Sequence, residues 1–192
     1  LLKSGDHIVC DWTTYSSTHE MLDHRLTDYN IETTFVDTSN IEAVRAAIRP
    51  NTKIIYFETI ANPSMKVAPV APLVELAHAR DIVVVCDNTF ASPYVMRPLE
   101  WGVDIVLESA TKFIGGHSDV IGGSICMKSK LLPSDFLEQI RWNTMVKLGA
   151  PIAPFNAWML IRGIQTLSVR VERQCQSAAK LAAHFEAHPI IK

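Results

Sequence analysis

Ile82-Val83-Val84-Val85-Cys86-Asp87-Asn88-Thr89 is the stretch that decides the fold of this chain. Its first five residues are apolar and mostly β-branched, without polar alternation. That pattern suits a parallel strand covered on both faces rather than a strand with one wet side. The run then stops abruptly at Asp87-Asn88-Thr89. In open α/β sheets, ligands collect beyond the carboxyl ends of the strands. The polar tail is therefore the first place to look for chemistry.

Working outward, strand and helix patterns alternate on both sides. Upstream, the residues predict strands over 7–10, 31–36 and 53–58 and helices from Thr18 to about Tyr29, Ile41 to Ile48 and Pro69 to about Arg80. Asp37-Thr38-Ser39-Asn40 caps the second helix and Pro69 opens the third. Downstream, Val103-Asp104-Ile105-Val106-Leu107 and Gly123-Ser124-Ile125-Cys126-Met127 read as strands. Helices follow over 131–146 and from Phe155 to roughly His188, with a break near Gly163. This order calls for an α/β fold with a mostly parallel sheet flanked by helices, ending in long helices. Three polar clusters fall at strand ends: Glu58 to Asn62, Asp87 to Thr89, and Ser109 to Lys112. Their shared position points to one site.

The loop Ser109-Ala110-Thr111-Lys112-Phe113-Ile114-Gly115-Gly116-His117-Ser118-Asp119 carries the sharpest signal. Most lysines are solvated, but Lys112 stands between a buried-type strand and Phe113-Ile114. Burial lowers a lysine pKa and makes the amine a nucleophile for a carbonyl. Asp87 is either a turn residue or a carboxylate that pairs with a protonated heterocyclic nitrogen. Ser109 and Thr111 offer hydroxyls to phosphate oxygens. Asn62 precedes Pro63, as a turn residue or as a donor to a ring oxygen. Tyr15, in a polar loop, is placed to stack on a planar ring or move protons. His117 lacks a second histidine at ligand spacing, so no metal is expected. The glycine pairs form no dinucleotide fingerprint. Trp142, Trp158 and the methionines read as core.

Composition narrows the classes. The 192 residues are 48% hydrophobic and 20% charged, an ordinary globular profile. A net charge of −2 gives no basic field for nucleic acid. Cys10, Cys86, Cys126 and Cys175 show no paired spacing and read as reduced core thiols of a cytosolic protein. No apolar run is long enough to span a membrane. The chain opens at Leu1 without Met and is read as an internal piece of a longer protein.

Together these motifs resemble the trans-sulfuration family of pyridoxal-phosphate-dependent enzymes, which act in cysteine and methionine metabolism. The resemblance rests on Val85-Cys86-Asp87-Asn88-Thr89-Phe90-Ala91-Ser92-Pro93-Tyr94, Arg97-Pro98-Leu99, Ser109-Ala110-Thr111-Lys112 and Gly116-His117-Ser118-Asp119. Glu58-Thr59-Ile60-Ala61-Asn62-Pro63 and Leu160-Ile161-Arg162-Gly163-Ile164-Gln165-Thr166-Leu167 extend it across essentially the whole chain. It departs at Tyr15-Ser16-Ser17-Thr18, where the family usually has Tyr-Gly followed by Gly or Cys.

What the resemblance implies can be set out residue by residue. The fold would be the aspartate-aminotransferase-like, type I large domain, with residues 1–192 its central part and about 165–192 the helix leading to a C-terminal domain. An N-terminal arm and a phosphate loop would lie upstream. Lys112 would form the Schiff base with pyridoxal 5'-phosphate, and Asp87 would pair with the pyridine nitrogen. Tyr15 would stack on the ring and assist proton transfer. Asn62 would meet the ring hydroxyl, Ser109 and Thr111 the phosphate, and Thr89 would join the cofactor site. The implied reaction is elimination of a thiol at the γ or β carbon of methionine or cystathionine. The alternatives are γ-replacement, as in cystathionine γ-synthase or a homoserine-ester sulfhydrylase, and a non-catalytic relic. A cytoplasmic homotetramer is implied for the full-length protein, with little cofactor binding and no turnover from these residues alone.

Overall fold

A computed structural model describes residues 1–191 of the chain. It divides into two compact units, residues 1–109 with 123–151, and residues 110–122 with the chain from Ile152 onward.

The first unit is built on a sheet of six strands in the order β2-β1-β3-β4-β5-β6. The strands are β1 (His7–Asp11), β2 (Glu32–Val36), β3 (Thr52–Glu58), β4 (Val83–Asp87), β5 (Ile105–Glu108) and β6 (Ser124–Met127). The first five pair parallel, and β6 joins β5 antiparallel. The mostly parallel α/β architecture expected from the sequence is present.

The unbroken apolar run of β4 has a simple cause. Alternate residues of each strand point to opposite faces, and both faces are covered. Val9, Ile55, Phe57, Val84, Cys86 and Val106 bury one face against α2 (Ile41–Ala47) and α3 (Val70–His78). Ile8, Cys10, Ile54, Tyr56, Val85 and Ile105 bury the other, under Leu22, Ile31 and Phe136. Polar alternation would put a wet side chain in one of those cores.

Local chemistry sets the helix ends. Asn40 caps α2 as expected, its side chain accepting from Glu42 N and Ala43 N, both at 3.1 Å. Thr18 is not the cap of the first helix. The helical segment begins with α1 (Ser16–Glu20), with Tyr15 as N-cap, and passes through a π turn, Met21–Arg25, into a 3-10 turn, Thr27–Tyr29. The expected helix over 131–146 is regular only in α5 (Phe136–Ile140), continued as a π turn to Val146. Leu131 and Leu132 instead pack against the sheet ahead of it.

Loops hold two short elements that the sequence does not announce, α4 (Ser92–Val95) and the 3-10 turn Pro98–Trp101. In the second unit, α6 (Pro154–Ile164) and α7 (Leu167–Glu186) replace the single interrupted helix, with the break at Gln165-Thr166. No helix among the described residues is long and apolar enough to cross a membrane.

Two expectations about the core need correction. Cys10 and Cys86 are buried, but Cys126 and Cys175 are exposed; all four are free. Burial pushes the Cys10 thiol up to about 12, so it is inert at neutral pH. Trp142, Trp158 and Met145 are exposed rather than core, because the helical stretches that carry them turn apolar side chains outward.

Ser92 is the one residue at odds with its surroundings in two ways. It has φ +58°, a left-handed conformation that costs a non-glycine residue about 1 kcal/mol. Its buried hydroxyl has no hydrogen-bond partner among the described residues. Ser92→Gly removes both costs and adds only the entropy of a freer unfolded chain. The expected result is a gain of about 1 kcal/mol, read as a raised thermal midpoint.

Candidate active site

Four neighbouring strands of the first unit end in carboxylates: Asp11 on β1, Glu58 on β3, Asp87 on β4 and Glu108 on β5. In register, Glu58 lies beside Asp87. Charges gathered along one edge must each be supplied with donors.

Asp11 has the most complete set. Its Oδ1 accepts from Thr13 N at 2.7 Å and from the Thr13 hydroxyl, and its Oδ2 from Thr38 N at 3.1 Å and the Thr38 hydroxyl. Lys66 Nζ donates to both oxygens, at 2.9 and 2.6 Å, and reaches Asp37 at 3.1 Å. Burial alone would raise this carboxyl, but the Lys66, Thr13 and Thr38 bonds outweigh it and hold it below the usual range.

Asp87 is half-buried and its Oδ1 accepts from Thr89 N at 2.9 Å. Thr89 in turn uses its hydroxyl oxygen to accept from Ser109 N at 2.7 Å. These three sequence-predicted residues are thus tied into one chain of contacts. Behind them, Asn88 donates to Glu108 Oε1 at 2.9 Å and accepts from the Thr59 hydroxyl at 3.0 Å. Burial pushes the Glu108 carboxyl up to about 7; the Asn88 bond opposes this and the neighbouring Asp87 charge adds to it.

Tyr15 and Asn62 meet across Glu58. Tyr15 N donates to Glu58 Oε1 at 2.7 Å and Asn62 N to Glu58 Oε2 at 3.2 Å. Both residues are exposed and line an open cavity of about 590 Å³, together with His19 and Thr14. Burial raises the Glu58 carboxyl, the two N–H bonds counter it, and the charges of Asp87 and Asp11 raise it further.

Thr111 and Lys112 belong to the second unit. The Thr111 hydroxyl donates to Gly122 O at 3.1 Å and accepts from Gly122 N at 3.0 Å. Lys112 is exposed, so the desolvated ammonium expected from its neighbours is absent among the described residues. Its loop is held by backbone, not by the lysine itself. Arg170 Nη1 donates to Phe113 O at 2.9 Å and Nη2 to Gly163 O at 2.8 Å. Gly163 of α6 lies so close that a Cβ there would sit 2.4 Å from Gly115 O and 2.5 Å from Ile114 O. His117 turns its Nδ1 to Gly115 O at 2.9 Å.

The sheet unit alone therefore gathers an aromatic ring at Tyr15, the Asn62 amide, the Asp87 carboxylate and the hydroxyl residues Thr89 and Ser109. A half-buried carboxylate steadied by a backbone N–H, yet still partly open, suits a cationic ring nitrogen. These residues fit a planar anionic heterocycle. All five are legible in the sequence as candidate site residues, and Glu58 as the head of a strand-end polar cluster, but the supporting contacts of Glu108, Arg170 and Gly163 are not. Glu58 was visible as a charge closing an apolar strand; Arg170 gave no signal on an otherwise polar helix.

Comparison with known proteins follows the same direction. The profile of the Cys/Met metabolism PLP-dependent enzymes matches residues 1–192. The chain is 41% identical to L-methionine gamma-lyase of Fusobacterium nucleatum over 194 aligned residues, covering all of this chain and 48% of that protein. It superposes on cystathionine gamma-lyase of Lactobacillus plantarum, crystallised with L-serine, with a TM-score of 0.91 and 41% identity, over 98% of this chain and 48% of that one. A candidate O-acetylhomoserine (thiol)-lyase of Campylobacter jejuni, carrying N'-pyridoxyl-lysine-5'-monophosphate, gives a TM-score of 0.93 at 30% identity, over 100% and 55%. The chain spans about half the length of the relatives it matches.

Two expected outcomes follow from the geometry. Glu108 has an ordinary value of 4.5 unfolded and about 7 folded, so the folded protein holds a proton that the unfolded chain releases between them. Its contribution is therefore least unfavourable below about pH 4.5, and stability falls by about 3 kcal/mol as pH rises through 7. Glu108→Gln should flatten that part of the pH dependence, measured as the difference from wild type in unfolding midpoints on either side of the window. Gly163→Ala inside a helix would ordinarily gain about 1 kcal/mol. Here the clash with the lysine loop should reverse the sign, lowering stability by about 2 kcal/mol in thermal unfolding.

Proposed function

Since the chain belongs to the Cys/Met metabolism PLP-dependent enzyme family, we propose that its parent protein is a carbon–sulfur lyase acting on a sulfur amino acid such as methionine or cystathionine. One observation carries the reading: the Asp87–Thr89–Ser109 chain of contacts stands at the sheet edge of a sequence 41% identical to a methionine γ-lyase.

In this reading Asp87 holds the cofactor's ring nitrogen in its protonated form. Tyr15 covers the ring face and Asn62 meets the ring hydroxyl. Ser109, Thr111 and Thr89 serve the phosphate end; Thr111 would first have to release its hydroxyl from Gly122. Bound pyridoxal phosphate supplies an electron sink for the bond broken at the substrate α-carbon. Lys112 would carry the cofactor through its amine; once the substrate amine displaces it, the freed lysine would take the α-proton and pass protons toward the leaving thiol. Tyr15 assists by handing a proton to the departing sulfur.

γ-Replacement is the second reading, supported by the likeness to the candidate (thiol)-lyase. It uses the same residues and differs in the last stage: in replacement an incoming thiol adds at the γ-carbon, whereas in elimination the unsaturated product departs and water hydrolyses its C=N bond to a 2-oxo acid and ammonia. A homotetramer in the cytoplasm belongs to the proposal as well.

Borohydride reduction of the full-length protein with pyridoxal phosphate should fix a pyridoxyl group on Lys112, located by peptide mass mapping. Fixation on another lysine would overturn the assignment. Release of 2-oxo acid and thiol without added thiol supports the lyase, whereas product formation only with an added thiol supports replacement.

A further inference from the structure

Glu58 has no part in the chemistry proposed above, yet it is the place where two walls of the site meet. It closes β3, is 8% exposed, and spends both carboxylate oxygens on backbone donors. Oε1 takes Tyr15 N at 2.7 Å, from the loop after β1. Oε2 takes Asn62 N at 3.2 Å, from the loop after β3 itself. The Tyr15 and Asn62 side chains are exposed, so their places are set by their own backbones rather than by packing around them. Those two backbones share one acceptor.

We infer that Glu58 is a positioning residue, a clamp that fixes the separation of Tyr15 and Asn62 so that ring-stacking and ring-hydroxyl contacts are made together. The inference rests on the proposed cofactor site. Its chemistry is specific. Both partners are N–H donors, so the bridging group must accept at two atoms. A carboxylate does this; a carboxamide of the same shape accepts at one end and turns a donor toward the other amide. Charge-assisted bonds of this kind are about twice as strong as neutral ones. A strand end is also the most rigid place from which to hold two loops.

The test uses the full-length protein, with residue-resolved amide exchange on the apoprotein and pyridoxal phosphate titration followed by fluorescence. Glu58→Gln should speed exchange at whichever of the Tyr15 and Asn62 amides then faces the carboxamide NH2, and weaken pyridoxal phosphate by about tenfold. In a Tyr15→Ala/Asn62→Ala background, the same change should cost less than about twofold, because there is nothing left to position. Unchanged exchange at both amides overturns the clamp. So does an affinity loss of full size in the double-variant background, which is what a merely structural role produces. Should Glu58→Gln not fold, Glu58→Asp keeps the charge, shortens the reach and carries the same expectations. Wild-type protein that takes up no pyridoxal phosphate overturns the proposed function instead, and exchange then decides the clamp by itself.

Discussion

A sheet edge lined by four carboxylates is the constraint on which the first unit depends. Parallel strands bring their carboxyl ends to one side, and here Asp11, Glu58, Asp87 and Glu108 arrive there on adjacent strands. Without donors such a row would repel itself and pay for desolvation. The solution differs at each position: a lysine and two threonines for Asp11, two loop amides for Glu58, one amide for Asp87, a carboxamide for Glu108. The loops beyond the strands are drawn back onto the edge by these bonds. What could have been a liability organises the surface on which a ligand would sit.

That gradient of donors also separates the roles. Asp11 is saturated and serves the fold. Asp87 is half-buried with a single backbone bond to Oδ1, which leaves it open to a further partner. Among the described residues Glu108 has the Asn88 amide at its Oε1, and burial pushes its carboxyl up to about 7. Asp87 and Glu108 are thus the two less saturated carboxylates of the edge, and of the two Asp87 is the more open to solvent.

Much of this was legible beforehand. The unbroken apolar run at β4 announces a sheet covered on both faces, and the polar residues after it mark the edge. Asn40 declares its helix because a cap acts through its own side chain. Other features act through backbone or at long range and leave no local trace. Tyr15 starts its helix with its N–H held by a carboxylate from another strand. Arg170 looks like one more charge on a solvated helix until its carbonyl partners are known. Trp142 and Trp158 are apolar by composition, yet the helices that bear them leave them uncovered. The apolar residues beside Lys112 suggest a buried side chain, yet it is exposed, because neighbours in sequence do not determine cover.

The closeness of Gly163 to the lysine loop has a consequence for anyone moving that loop elsewhere. A hydrogen atom is the largest substituent that α6 tolerates at that point, and Arg170 of α7 fastens the same backbone from beyond the helix break. The position of the Lys112 loop is therefore written well downstream of the loop itself. A graft of residues 110–122 alone would carry the lysine without its coordinates. The smallest transplantable cassette is the loop with α6 and the opening turns of α7, cut and inherited as a single piece.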